Sequence, residues 1–575
     1  MLYFIIAWTV LTGVCSSIGI SLLNILNADC FGRKGDRFIV AVWLGIVVLA
    51  ISLLTTSLVL PLSSLVGLGL AVILVSLSLL SERTRTEVVA LWSSLSLGLI
   101  LVFLTLEFLV AALTTQKIIW FDTGLYHFGS IKWLSEYGAV PGVALINSKF
   151  GFTSSWFALA APLTPKFFGD RVGAITNGFI FLIASLQGLI TLVQILKTKA
   201  QLADYFLLVF SLITVLSYTV TTFTGSPILI SFSPDVAVTL ITGATAWTML
   251  IISNNSHPMP EAKVSSLDAQ IIPLILSTVA VSIKLSALPL LPVGFLFYIL
   301  KKKVNQRVLL GSAIVILLLS PALIFSIITS GCPLYPSTFM CLDLPWTVTA
   351  QRAISEAKEI KFWHKLIEPE QVGTNPLLLA VWNWFKGSKE FQIMILLIVL
   401  SVSFIIKILR RSNDKSKQGL FGVIALGLVG MTFITIQSPL IRFGLGYFIL
   451  IPCLFVAKYC HRNLESIQRR SNQLPLLCKF RGLSSAVLLI PLFLVGLATV
   501  VLVLGEVQSR WLLPSQLPSA KVVHEKVNDV KYVYPANWTA KCWSAKLPCA
   551  EVPINKNIKL RDPSRGIGSG FVHVK

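Results

Sequence analysis

A succession of apolar blocks constrains this chain more than any other feature. Each is roughly 20 residues long, the length of helix that crosses a hydrocarbon core of about 30 Å. The blocks recur from residue 1 to residue 504, separated by short polar stretches. A soluble chain of 575 residues could not hide them, because 55% of its residues are hydrophobic and only 13% are charged. Mean hydropathy is +0.82, and folded surfaces need charge to stay in solution. The blocks do not alternate in polarity, which excludes a transmembrane β-barrel. The expected fold is an all-α polytopic bundle of about 14 spans.

Charge gives the bundle a direction. The net charge of +22 sits in short basic clusters between apolar blocks, the pattern of cytoplasmic loops and not of a nucleic-acid surface. Spans are expected at 1–27, 38–57, 62–80, 90–113, 172–195, 203–222 and 234–252. The block 269–300 is too long for one untilted span and reads as two short spans meeting near Lys284. Further spans are expected at 308–329, 391–409, 419–436, 440–458 and 483–504. Arg33, Lys34, Arg37, Arg83, Arg85, Lys301 to Lys303, Arg410 and Arg411 then lie inside. The segments 114–170, 330–390 and 505–575 lie outside, together with both termini. The organisation is therefore N-terminal spans (1–113), an outer loop with interfacial helices (114–170), central spans (171–329), a second outer loop (330–390), C-terminal spans (391–504) and an extracytoplasmic C-terminal segment (505–575). The first block lacks a basic n-region and a small-residue cleavage site, and reads as a retained span.

Four of the nine cysteines fall in the outer segments as two close pairs, Cys332 with Cys341 and Cys542 with Cys549. An oxidising compartment is where such pairs form disulfides.

One outer segment reads as a site: WFDTGLYHFGSIKWLSEYGAVPGVALINSKFGFTSSWF, residues 120–157. Asp122 opens a helix-like stretch and can cap it. Tyr126 and His127 follow about one turn later, then Trp133 and Tyr137, before Gly138, Pro141 and Gly142 end the stretch. A carboxylate beside an imidazole, ringed by aromatics, suits a polar headgroup or the deprotonation of a hydroxyl. The plainer reading makes Asp122 a cap and His127 an interfacial packing residue. Three more charges converge on the same side. Asp235 stands at the outer end of a span, and Lys284 lies inside an apolar block, where a charge is costly unless paired or functional. Arg442 stands at an outer turn and suits bidentate contact with phosphate. The plainer reading has Asp235 capping, Lys284 snorkelling and Arg442 anchoring to headgroups. Glu107 is a single acid within a span. A Walker loop, HExxH, GxSxG and zinc-spaced CxxC pairs are absent from the sequence, so ATP-driven transport and serine hydrolysis have no support.

The segments WFDTGLYHFGSIKWLSEYGAVPG, GFTSSWF, SGCPLYPSTF (330–339), RFGLGYF and RDPSRGIGSGF (561–571) resemble an uncharacterised family of large bacterial membrane proteins. That family is similar to the GT-C class of glycosyltransferases, which take sugars from polyprenyl-phosphate carriers. The resemblance implies that Asp122, at the start of the first large outer loop, is the catalytic base, that 124–137 and 153–165 are the interfacial helix pair, and that Asp235 is a second acid. Four spans precede the acidic loop here, and Asp122 is followed by Thr123 where the class usually has paired acids, which leaves the use of a divalent metal open. Otherwise no cofactor is implied.

The expected function is transfer of a sugar from a lipid-linked donor to a glycan or lipid acceptor at the outer face of a bacterial cytoplasmic membrane. Asp122 and His127 would be catalytic. Asp235, Lys284, Arg442, Tyr126 and Trp133 would bind substrate, with Trp120 and Trp156 also stacking on sugars. The partners are then a lipid-linked sugar, its acceptor and membrane lipids, with no nucleic acid. A transporter or flippase of a lipid-linked glycan or anionic solute would use the same basic residues. A structural membrane subunit would use the outer segments to bind a partner.

Overall fold

The computed structural model describes residues 1–197, 200–254, 266–300, 303–361, 389–410, 417–470, 507–537 and 541–574. The span expected at 483–504 lies outside the described residues, as does 362–388 of the second outer loop. Ten of the described helices are long and apolar enough to cross a membrane, which is the character of a multi-pass membrane protein. They are α1 (Leu2–Ile25), α2 (Lys34–Ser57), α5 (Leu97–Thr114), α8 (Ile175–Leu196), α9 (Leu202–Phe223), α10 (Pro234–Asn254), α13 (Val304–Ser330), α15 (Lys389–Arg410), α16 (Lys417–Gln437) and α17 (Ile441–Arg470).

The difference from the expected 14 lies in particular segments. The block 62–80 forms α3 (Ser64–Ser78), 15 residues long, which turns by 108° into α4 (Glu82–Ser93). At a rise of about 1.5 Å per residue, α3 covers only about 22 Å. The block 269–300 divides at Lys284, as its length requires, into α11 (Ile271–Ile283) and α12 (Leu290–Ile299). Lys284 itself is extended, at φ −160° and ψ 138°. Both pieces are too short to rank with the ten long helices.

Neighbouring helices approach most closely where a side chain is missing. A Cβ added at Gly19 on α1 would collide with the backbone of Ala41 on α2, and one added at Gly45 on α2 would collide with the backbone of Cys15 on α1. Small residues at facing positions let membrane helices touch backbone to backbone.

The polar connections gather at the two ends of the bundle. At one end, Arg33 pairs with Asp36 and Asp204, Arg37 with Glu87, and Arg307 with Asp268. At the other end a cap is built from residues 115–174, 331–361 and 507–574. It contains a π-helical turn (Thr123–His127) running into α6 (Phe128–Glu136). A second helix follows, α7 (Ser155–Ala160), extended by a 3-10 turn to Leu163. These occupy the two positions expected for interfacial helices. α14 (Ala350–Lys361) completes the helical part. The start of α1 belongs to this end too, since the amides of Leu2 and Tyr3 donate to the carbonyls of Trp511 and Leu512 at 2.9 and 3.4 Å.

The all-α expectation fails in the C-terminal segment, which carries two small antiparallel hairpins. Strands β1 (Val522–Val527) and β2 (Val530–Pro535) are joined by Asn528 and Asp529, both at positive φ. That is the two-residue turn whose twist suits a hairpin. β3 (Ile558–Leu560) pairs with β4 (Phe571–His573). Cys332 is bonded to Cys341 and Cys542 to Cys549, all within the cap.

Two outcomes follow from this packing. Gly45→Leu forces α1 and α2 apart and costs about 3 kcal/mol, the upper part of the range for overpacking. It should lower the midpoint of thermal unfolding in detergent by several degrees, and an unchanged midpoint would contradict the close approach. The denatured chain should take up four more alkyl groups after reduction than before, read by intact mass.

Candidate functional site

The cap end of the bundle brings together four charged residues from four distant parts of the chain. Asp235 lies in the first turn of α10, Lys284 at the break between α11 and α12, Arg442 in the first turn of α17, and Asp122 immediately before the π-helical turn. Lys284 Nζ bonds Asp235 Oδ1. Arg442 Nη1 stands 3.5 Å from Asp122 Oδ2. The ring of Phe443 links the two pairs, with Lys284 Nζ 3.9 Å and the Arg442 guanidinium 4.8 Å from its centroid. Trp120 faces Arg442 at 5.3 Å. Cations over aromatic faces are attracted by the ring quadrupole.

This geometry bears on two of the plainer readings, the Asp122 cap and the snorkelling of Lys284. Asp122 makes no side-chain cap hydrogen bond to the turn it precedes; its carboxylate faces Arg442 instead. Lys284 is paired and does not snorkel. Asp235 has a side chain 3% exposed, whereas Asp122, Lys284 and Arg442 stand at 17%, 24% and 24%. Three of the four therefore keep some accessible surface. Arg442 Nε, His127 Nδ1 and Thr123 Oγ1 are buried without a hydrogen-bond partner among the described residues. Buried donors of this kind call for an explanation, and a polar ligand is one.

The motif GFTSSWF acts as the scaffold of the cluster. Ser154 Oγ donates to the carbonyl of Ile283 at 2.8 Å, and Ser155 Oγ lies 2.9 Å from Ser282 Oγ. Ser154 thereby satisfies one open carbonyl at the end of α11 just where it presents Lys284, and Ser155 fastens the same turn through a side chain. Trp156 Nε1 donates to Asn177 Oδ1 at 2.8 Å, and Asn177 Nδ2 donates to the carbonyls of Ser231 and Ser233. Ser233 Oγ donates to Asp235 Oδ2 at 3.0 Å. Trp156 is fully buried, so the expected stacking of a sugar on it is corrected: it holds the Asp235 loop. Trp133 is also buried, packed against Tyr137 and Phe571 in the interior of the cap, and is corrected in the same way. Trp120 remains beside the cluster.

Tyr126 and His127 pack ring to ring at 4.4 Å, with Phe157 5.3 Å from His127. Burial holds the His127 imidazole well below its ordinary pKa, and the positive charges of Lys284 and Arg442 push it the same way. Burial raises the Asp122 carboxyl above the usual carboxylate range, with Arg442 and then Lys284 pulling it back. The Tyr126 hydroxyl is held well above its usual value, first by burial and then by Asp122 and Asp235.

A second cluster was not legible in the sequence. Buried Lys149 lies 3.2 Å from Glu356, 3.3 Å from Glu359 and 3.5 Å from Glu551, and Ser148 Oγ donates to Glu356 at 2.6 Å. It ties together all three parts of the cap. The C-terminal lobe closes over the site loop as well: the Trp543 amide donates to the Gly124 carbonyl at 3.1 Å and the Phe571 amide to Pro141 at 2.9 Å. Phe443, Ser233 and Asn177 likewise escaped sequence reasoning. Phe443 had one signal, its place beside Arg442. Among the described residues no three His, Cys, Asp or Glu side chains gather as a metal-ligand set, and both carboxylates of the cluster face cationic side chains.

Breaking the more buried pair should cost more. Asp235→Ala leaves Lys284 uncompensated and should cost about 3 kcal/mol of stability. Asp122→Asn, in the more exposed pair, should stay within about 1 kcal/mol. Thermal unfolding in detergent measures both, and an equal loss would contradict the assigned difference.

The family profile described as "Domain of unknown function (DUF8201)" matches residues 1–449, and the chain belongs to that family. Asp122, Asp235, Lys284 and Arg442 all fall within the match, and the C-terminal lobe lies beyond it. No match to the chain is found among curated proteins or among solved structures.

Proposed function

We propose that this family member is a membrane glycosyltransferase, GT-C-like in architecture, which moves a sugar from a polyprenyl-phosphate carrier to a glycan or lipid acceptor at the outer face of a bacterial cytoplasmic membrane. The cap and both termini would then be extracytoplasmic. The observation that carries the reading is the convergence of Asp122, Asp235, Lys284 and Arg442, all partly or wholly shielded, at one end of an apolar bundle. A membrane-embedded donor with a phosphate at the interface needs cations at that depth. Its acceptor hydroxyl needs a base beside them.

In this scheme Asp122 takes the proton of the acceptor hydroxyl as the oxygen attacks the anomeric carbon. The bond from that carbon to the phosphate oxygen breaks with inversion, and polyprenyl phosphate leaves with the electron pair. Arg442 and Lys284 stabilise the charge that grows on the leaving phosphate. Asp235 is a positioning residue that holds Lys284. His127, whose imidazole burial holds well below its ordinary pKa, is a weak proton acceptor that assists Asp122 by hydrogen bonding. Trp120 offers a face on which a sugar can stack.

The break at Lys284 favours a second reading. Discontinuous helices around a charged residue are common in transporters, and a flippase of lipid-linked glycans would use the same cations. The two readings part on Asp122. Full-length protein in lipid nanodiscs, given a short-chain polyprenyl-phosphate sugar together with a glycan or lipid acceptor, should release polyprenyl phosphate as the sugar passes to the acceptor hydroxyl. Asp122→Asn should reduce that release by roughly 10²–10⁴-fold, the span of general-base catalysis, while expression and monodispersity are kept. A fully active Asp122→Asn variant refutes the assignment. Translocation of a fluorescent lipid-linked sugar across liposomes, without cleavage, supports the flippase.

The pH profile gives a further check. A base must be deprotonated, and burial raises the Asp122 carboxyl. The acid limb of kcat/KM should therefore fall at a pH above about 4, the ordinary carboxylate value.

A further inference from the structure

Beside the cap, where α1, α5 and α8 emerge from the bundle, three short segments form a continuous rim. Residues 509–517 wrap the start of α1 and the segment before α8. Val172 donates its amide to Ser515 O at 3.1 Å, Leu517 donates to Asp170 O at 2.9 Å, and Arg171 Nη1 contacts the carbonyls of Ser509 and Pro514. Ser515 Oγ donates to Thr115 O at 3.0 Å, which ties in the end of α5. Tyr3 closes the circuit: its hydroxyl donates to Leu163 O, its amide to Leu512 O, and its ring meets Phe168 at 4.7 Å.

This rim is polar in its backbone bonding but apolar on its outer side. Phe167 is 82% exposed, Leu512 62% and Trp511 50%. Trp511 also rests on Phe108, at 6.0 Å between centroids. Phe108 belongs to α5, one of the helices long and apolar enough to span, so the exposed rim continues the apolar surface of that helix. Its outer charges have one dominant sign. The segments 115–121, 164–172 and 509–517 present Lys117, Lys166 and Arg171 against a single acid, Asp170, while Arg510 is buried. Aromatic residues that follow the end of a span, flanked by Lys and Arg, match the headgroup layer of a bilayer, and the excess of cations matches anionic headgroups.

We propose that this rim is a lipid-contact surface that seats one side of the cap in the headgroup layer of an anionic phospholipid leaflet. Phe167, Trp511 and Leu512 enter the layer, and the exposed Lys117 and Lys166 face the phosphates. The C-terminal lobe beyond residue 517 is then held against the membrane by its own first turns and not only by contacts within the cap. The proposal rests on the multi-pass character of the chain and is independent of the glycosyl-transfer reading.

The test uses the full chain in nanodiscs of phosphatidylcholine with a minor share of phosphatidylglycerol. The photo-crosslinking residue p-benzoylphenylalanine replaces Phe167 in one preparation, Leu512 in a second, and His524, exposed on β1, in a third. After irradiation, mass spectrometry should find phospholipid adducts at 167 and 512 at least five-fold more often than at 524. The phosphatidylglycerol share of those adducts should exceed its share of the bilayer, and Lys166→Gln with Lys117→Gln should return it to the bulk ratio. Adducts at 167 and 512 no more frequent than at 524 overturn the rim. Adducts in the bulk lipid ratio in the parent chain overturn the anionic preference.

Discussion

The pairing of Lys284 with Asp235 is the interaction on which the cap end of the bundle depends. An ammonium in an apolar block is tolerable only if an opposite charge meets it. The helix therefore has to end at Lys284, and α10 has to begin beside it. Once those two helix ends are fixed, Phe443 is placed between Lys284 and Arg442, and Arg442 is brought to Asp122. Ser154 of the GFTSSWF segment satisfies the Ile283 carbonyl at that break. A break in an apolar helix and a cluster of charges are thus two views of one arrangement.

The cap supplies what the spanning helices cannot. Helices packed through apolar faces carry few polar groups, so the acid at the start of the site loop must be delivered from outside the bundle. Three segments do this jointly. The π-helical turn places Asp122, the C-terminal lobe covers the loop through Trp543 and Phe571, and Lys149 gathers carboxylates from α14 and from the C-terminal lobe. The role of RDPSRGIGSGF becomes clear in this setting. Gly570 has φ +97° and lies so close to Pro141 that an added Cβ would clash with it, so the glycine lets the two turns touch.

Much of this was legible in the sequence because bilayer length and charge act locally. The long helices, the division at Lys284, the pairing of neighbouring cysteines, and the gathering of Asp122, Asp235, Lys284 and Arg442 at one end all follow from block length and from where polar residues interrupt blocks. Failures came where contact is non-local or where a block is apolar but short. α3 has the composition of a span without its length. The hairpin at Asn528 and Asp529 had a local signal, an Asn-Asp turn between alternating residues, that the all-α expectation passed over. Trp133 and Trp156 look like sugar platforms by type, yet only tertiary packing reveals that their rings are enclosed. The partners of Lys149 carry no local mark.

Lys149 also bears on how the molecule is made. It sits in the first third of the chain, while its carboxylate partners Glu356, Glu359 and Glu551 come later, the last of them near the far end. During synthesis Glu356 and Glu359 are available to this ammonium before Glu551 is made, and the closer contact is with Glu356. The last lobe thus adds a third carboxylate to a charge that α14 has already met, and reinforces a cap whose first ion pair is formed without it.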